Sequence, residues 1–377
     1  MSTQHSSSMA TDPVAQAWTE TDPQSLIRLA QTEDLEVLGA VAGNLATPRE
    51  LLLAFSVHED VEVRRMALSN PALPLGRISE LIGEEYAADV RLEIAWRPDC
   101  TASILMRLAR DSSEGVRMGV VSHKACPPDA LSMLVSDPDL EIRATVASHQ
   151  SCPPAALASL AADPDPEVRA IAGGNPRLDR EVAQALETDP DAGVRAAAAC
   201  RSDCPPAVRR QLAQDEDPFV RGAIAGSRWC DAELQEMLSG DPDPWVRAQM
   251  ALNATCPDSL LIQYVTDCDL EVRMAVVSRQ NCPSEAFSLL ADDPNWQIRV
   301  QVASHPGCPP SALLRLAGDE DWDVRMLVAA APNSPPAALA ILANDANEHI
   351  RAEVAERQVA PPEMPHELDG NGPSQSR

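Results

Sequence analysis

The sequence predicts an all-α protein: an α-solenoid of about thirteen stacked 26-residue repeats, each holding one α-helix and one short α or 3₁₀ helix. Three observations carry this. First, an aliphatic residue recurs at Val37, Val63, Val90, Val116, Ile142, Val168, Val194, Val220, Val246, Val272, Ile298, Val324 and Ile350, in steps of 26 apart from one step of 27 between Val63 and Val90. Second, each copy carries two helix-start signals, an Asp-Pro type and a Cys-Pro-Pro type. Third, no stretch shows the alternating pattern of a β-strand. A fixed period of this length means that each unit is one supersecondary element, and that neighbours bury each other's apolar faces.

In chain order, residues 1–11 are Ser-rich and polar and are expected to be disordered. Residues 12–30 match the later half of a repeat, with Leu26 and Leu29 in the places of Leu313 and Leu316, and are expected to cap the first layer. Residues 31–360 form the repeat array. Its first copies are degenerate: Leu38 replaces the arginine, and His58 and Glu85 stand where Asp recurs later. The single extra residue lies in GEEYAADV, where a bulged loop is expected. Residues 361–377 are rich in Pro, Gly and Ser and are expected to form a loose tail.

Within a repeat, Asp three residues before the anchor is a good N-cap and Pro just after it suits the first turn, as in Asp165-Pro166 and Asp243-Pro244. Apolar residues at the anchor and four later, such as Ile142 and Val146, share one helical face. The segment is short, about two turns, which admits a 3₁₀ form. It ends at a polar residue seven after the anchor: Asn44, Asn70, His123, His149, Asn175, Asn253 or His305. Asn and His tolerate left-handed backbone, so a stop there is expected. The second helix follows Cys126-Pro127, Cys152-Pro153, Cys308-Pro309 or an equivalent, because the residue before Pro is kept out of helical geometry.

Four columns run along such a stack. Arginine follows the anchor, as at Arg143, Arg169, Arg195, Arg221, Arg247, Arg273, Arg299 and Arg325. Asp stands five before the anchor, and again three before it, as at Asp165, Asp191, Asp217 and Asp243. The second Asp lies four residues before the arginine, within reach on a helix, so a structural ladder of opposite charges is expected.

The cysteines form the next column: Cys100, Cys126, Cys152, Cys204, Cys230, Cys256, Cys282 and Cys308. Neighbouring helices pack about 8–10 Å apart, whereas a disulfide needs Cα atoms within about 7 Å. Thr47, Leu73, Leu178, Ser334 and Ala360 fill the same slot. Free, semi-buried thiols are therefore expected, with Cys200 and Cys204 as a pair whose redox role stays open. His123, His149 and His305 form the third column, and lack the further donor a metal would need.

The fourth column is aromatic. Trp296 and Trp322 fall two before the anchor, with Leu270 in the same place; Phe219 and Trp245 fall one before it. At a solenoid edge such rings either bind a partner or pack over a neighbouring loop, and both readings stand at this point. As a binding site, these five residues are the candidates.

The formal charge is −27, and −20 remains after nineteen acids and twelve bases are assigned to the Asp and Arg columns. Such a surface repels phosphate, which disfavours nucleic acid and anionic membranes and suits a basic partner. No run of about 18 apolar residues exists, so no membrane span is expected. The first residues lack the basic and apolar regions of a secretion signal, and ten cysteines then point to a reducing cytoplasm.

The motif DPDxxVRxxVAxxxxCPPxALxxLA, held over a dozen copies across roughly residues 24–360, resembles the leucine-rich repeat variant family. That resemblance implies a right-handed superhelix of alternating α and 3₁₀ helices. Some members carry a cysteine-rich iron–sulfur segment ahead of the repeats; here no cysteine precedes Cys100, so that cofactor is not carried over and none is expected. No Ser/His/Asp set, P-loop or dinucleotide fingerprint stands out from the repeat, so catalysis is not expected. The preferred reading is a non-catalytic, monomeric scaffold for a protein or peptide of basic character. The alternatives are a metal or redox protein using the cysteine column, and a nucleic-acid-binding solenoid, which the charge disfavours.

Overall fold

The structure, a computed structural model, describes residues 12–83 and 86–359. Among these residues the chain is wholly helical, with twenty-seven α-helices and no strand. The segments 1–11 and 361–377, Ala360 in the cysteine slot, and Glu84 and Glu85 of the expected bulge lie outside the described residues.

First and second helices alternate. First helices such as Pro166–Gly174, Pro244–Leu252 and Trp322–Ala330 have nine residues, whereas second helices such as Pro154–Leu160 and Pro310–Leu316 have seven. The first helix is thus the longer of the pair, and both are α rather than 3₁₀. Its start follows from the sequence. Asp165 accepts a hydrogen bond from the Glu167 N–H, with Pro166 filling the first turn. Second helices begin differently. The first proline of Cys-Pro-Pro sits in extended backbone as the N-cap (Pro153 at φ −64°, ψ 144°), and the second is the first helical residue. No side chain caps this end, and proline leaves one fewer N–H to satisfy.

The chain divides into two compact units, one reaching Cys204 and one starting at Pro205. The first unit opens with helices Pro13–Thr19 and Pro23–Leu29 and holds the first helices from Leu35–Gly43 to Ala192–Ala199. The second holds those from Pro218–Gly226 to Glu348–Val359. In each unit, consecutive first helices pack side by side over a continuous apolar line. The anchors Val63, Val116, Val168, Val220, Val246 and Val324 are all fully buried, as are the residues four later at Ala67, Val120, Ala172, Met250 and Val328. Burying one such aliphatic side chain contributes roughly 1.5–3 kcal/mol.

Small residues set how closely first helices approach. In the second unit the Trp245 ring lies flat on the backbone at Gly222, where a Cβ would fall 1.9 Å from the ring. In the first unit, Trp18 rests in the same way on Gly43, where a Cβ would fall 2.7 Å from it.

The polar residue seven after the anchor does not stop the helix by turning left-handed. Asn44 has φ −71° and ψ 132°, and Asn175 has φ −70° and ψ 124°, both ordinary extended backbone. The side chain explains the choice of residue. Asn70 Nδ2 donates to the carbonyls of Ala42 and Asn44, in the repeat before, at 2.9 and 2.8 Å. Its Oδ1 accepts from the Ala72 N–H at 2.9 Å. Asn253 does the same with Ala225, Ser227 and Thr255. One side chain thus satisfies free carbonyls at the end of the preceding first helix, groups that a helix C-terminus leaves without partners.

Arginine serves this slot at Arg97 and Arg201, and each then gains an ion pair two residues on, with Asp99 and Asp203. Arg97 reaches the carbonyls of Leu68 and Asn70, and Arg201 those of Gly173 and Asn175.

Candidate binding face

The charged columns frame the starts of the first helices. Arg247 donates Nε and Nη2 to the two carboxylate oxygens of Asp267, at 2.7 and 2.8 Å, and Nη1 to the Asp241 carbonyl at 2.7 Å. Arg143, Arg169, Arg221, Arg273, Arg299 and Arg325 make the same forked pair with the Asp twenty residues ahead. Arg195 donates to the carbonyls of Asp189 and Pro190. The partner of each forked arginine is therefore the first-column acid of the next repeat, not the Asp four residues before it. The carboxylate bond raises the arginine pKa at Arg143, Arg221 and Arg325 against the opposing effect of burial.

The Asp four before the arginine has another task. Asp165, Asp191, Asp217 and Asp243 each accept from a backbone N–H at the start of their own first helix, at 2.8, 3.2, 2.8 and 2.9 Å. Each cap engages Oδ1. Among the described residues, Oδ2 of Asp217 and Asp243 makes neither a hydrogen bond nor an ion pair.

The five apolar candidates all lie in the second unit, on the first one or two residues of successive first helices. Phe219 is 50% exposed, Trp296 47% and Trp322 49%, while Trp245 and Leu270 are half-buried. Phe219 and Trp245 stack, with centroids 5.6 Å apart and planes 10° from parallel. Among the described residues Trp296 and Trp322 make no aromatic ring contact, and about half of each residue's surface is open to solvent.

Two features of this unit were not read from the sequence. Leu252, 49% exposed at the end of Pro244–Leu252, extends the apolar surface along the helix. A groove of about 340 Å³ opens between the ends of Trp296–Ser304 and Trp322–Ala330, lined by Ala303, His305, Leu327, Ala330 and Pro332. Following the column six residues after the anchor would have found Leu252; the groove depends on spacing that no linear pattern carries.

The cysteine column is buried except for the half-buried Cys282. Its members are free thiols, and burial pushes Cys126, Cys152 and Cys256 up to about 11, and Cys230 and Cys308 up to about 12. Several Sγ atoms lie near the carbonyl of the following proline, at 3.8 Å for Cys152 and Cys308. Cys200 is half-buried and Cys204 buried.

Histidines of the helix-end slot are occupied on both nitrogens. His305 Nδ1 accepts from the Gly307 N–H at 2.9 Å, which leaves Nε2 protonated to donate to the Arg279 carbonyl at 3.0 Å. His123 bridges Ala125 and Arg97 in the same manner. Among the described residues, no group of three or more His, Cys, Asp or Glu side chains is placed to hold a metal. No described helix is long and apolar enough to cross a membrane.

Fold and site together define a helical repeat solenoid whose layers are tied by forked Arg–Asp pairs and by side-chain-to-carbonyl bridges. The family model described as leucine rich repeat variant matches residues 140–165 and 296–321, one repeat in each unit. The same 26-residue grammar recurs in the other copies, and the two matched repeats are of the leucine-rich repeat variant kind.

Among solved structures it is similar to a leucine-rich repeat variant with a novel repetitive structural motif, at 26% identity and TM-score 0.45, over 58% of this chain and 86% of that one. It is also similar to a structure of Kap95p with RanGDP, at 14% identity and TM-score 0.34, over 90% of this chain and 53% of that one. A third is importin beta, at 15% identity and TM-score 0.17, over 89% of this chain and 42% of that one. These superpositions are loose, and the likeness to the leucine-rich repeat variant family rests on the repeat motif. No curated protein matches the chain.

Proposed function

We propose that the protein is a non-catalytic interaction scaffold, and that the first-helix face of its second unit holds a protein or peptide of basic character. The observation that carries this is the set of half-exposed Phe219, Trp296 and Trp322, each on the first or second residue of a first helix of this unit. Large apolar side chains held half in water on a rigid framework are the usual anchors of an interface. The charge supports a basic partner: residues 205–359 hold twenty-three acids against twelve arginines. The arginine column is held by carboxylates and carbonyls, so it is not a free cationic stripe for phosphate.

The recurring Asp, Cys and His residues serve caps, helix starts and carbonyl bridges. This supports a scaffold rather than a reaction centre. The test is capture of basic proteins or peptides on the immobilised full chain, followed across a salt series. Retention should weaken with salt and be lost in a Trp296→Ala, Trp322→Ala double variant that keeps its helical circular dichroism. Retention unchanged by the double variant would remove this face as the site.

A further inference from the structure

We infer that the ligand of this face is an extended peptide with a cationic side chain at every third position, each read by one repeat. This rests on the scaffold reading and specifies its occupant.

In four of the repeats an N-cap carboxylate stands one to two residues before the ring or leucine: Asp217 beside Phe219, Asp243 beside Trp245, Asp269 beside Leu270 and Asp321 beside Trp322. Each cap spends Oδ1 on a backbone N–H, at 2.8 to 2.9 Å. Among the described residues, Oδ2 of all four accepts no hydrogen bond and forms no ion pair. The nearby arginines Arg221, Arg247, Arg273, Arg299 and Arg325 are each forked onto the first Asp column. A carboxylate oxygen that makes no ion pair suits a guanidinium or ammonium group, and at Phe219 and Trp322 the half-exposed ring one or two residues on attracts the same charge.

Spacing sets the register. Layers of packed helices repeat every 8–10 Å or so. An extended polyproline-like chain rises about 3.1 Å per residue, so three residues advance it about 9 Å. A cation at every third residue therefore keeps step with the layers. Spacings of two or four fall out of step by about 3 Å per layer and lose register within a few repeats.

The fold supplies a substitution that removes charge without removing the cap. Asn295 occupies this position in one repeat and caps the Gln297 N–H at 2.8 Å, so Asn fits the slot. The experiment titrates the full chain into fluorescein-labelled twelve-residue peptides of arginine, alanine and proline. Each peptide carries three arginines, set two, three or four residues apart, so that composition is the same in all. The readout is anisotropy at low salt. The every-third peptide should bind at least tenfold tighter than the others. The triple variant Asp243→Asn, Asp269→Asn, Asp321→Asn should weaken it at least tenfold, flatten its salt dependence and keep native circular dichroism.

Equal binding of all three spacings, or a triple variant that binds like the parent, overturns the inference. If a peptide without arginine binds as tightly, and Trp296→Ala with Trp322→Ala abolishes it, the scaffold reading stands while this inference fails. If no peptide binds in a way that depends on the tryptophans, both fail.

Discussion

Replacing Arg247 by methionine should open one rung of the Arg–Asp ladder, and its cost distinguishes a framing interaction from surface decoration. Methionine keeps the apolar stem and removes the guanidinium. Lost are the forked pair to Asp267 and the bond to the Asp241 carbonyl. The two side chains are 13% and 10% exposed, so Asp267 would be left nearly buried, with the Asp269 N–H and the Cys268 thiol as its remaining hydrogen-bond partners. Stranding one partner of a buried pair costs about 3–5 kcal/mol, whereas an exposed pair contributes about 0–1 kcal/mol. The slight water access places this rung near the lower buried figure, about 3 kcal/mol.

The loss should also shrink in acid. Burial, the largest single effect, raises the Asp267 pKa, and the Arg247 bond, the Asp269 N–H and the attraction of the Arg247 charge together bring it below the ordinary carboxylate value in the parent. Without Arg247 the carboxyl protonates more readily as pH falls, which relieves the stranded charge. Stability in a repeat array is a sum of unit and interface terms, so the readout should be local. Hydrogen exchange of amides in 244–252 and 270–277 serves, with urea unfolding followed by tryptophan fluorescence beside it. A cycle with Asp267→Asn should show coupling of about 2 kcal/mol. A cost below about 1 kcal/mol with additive single variants would refute the framing role.

Three further outcomes are expected. Arg279 bridges to the Ala251 and Asn253 carbonyls like Arg97 and Arg201, but has Asn281 where those have Asp, and its buried Nε has no partner. Asn281→Asp should therefore stabilise the second unit by about 1 kcal/mol, read as a higher urea midpoint. At pH 8 the buried column thiols, raised to about 11 or 12 in Cys126, Cys152 and Cys230, should react with a disulfide reagent far more slowly than exposed Cys268. Mass spectrometry of partially labelled protein identifies the order. Asp89 and Asp345 are held below the usual carboxylate range, chiefly by Arg64 and Arg325. Their folded pKa values are lowered, so the stability they contribute is present above about pH 4 and is lost as pH falls through the folded values. Thermal melts from pH 6 to pH 3 should show that loss, and a flat profile would contradict it.

Much of the fold was legible because it repeats. Anchor spacing, Asp caps and proline placement are local, and each copy states them again. The links between copies were harder to read. Arg143 has Asp139 four residues back and Asp163 twenty ahead, and helical reach favours the nearer one. The nearer Asp is drawn to the Ile142 N–H at 3.0 Å instead, leaving Asp163 to the guanidinium. Likewise Asn70 and His305 looked like chain-reversing residues, because a sequence shows a side chain's backbone preference but not the carbonyls of the layer before. The candidate rings Phe219, Trp296 and Trp322 were found by column position, while the partial burial of Trp245 depended on the room that Gly222 leaves for its ring.

Each layer gives its guanidinium forward and its amide, imidazole or second guanidinium backward. The array is therefore polar, like a row of interlocking bricks with a tongue on one edge and a groove on the other. Excising or duplicating one whole 26-residue unit within either compact unit leaves each tongue a groove to enter, whereas a cut at any other length leaves both edges unmatched. The two cut ends of a fragment also differ chemically: the C-terminal one exposes both carbonyls awaiting a donor and a cation awaiting its carboxylate, whereas the N-terminal one exposes a carboxylate without its arginine and a donor without its carbonyls. Shortened versions would need a different cover at each end.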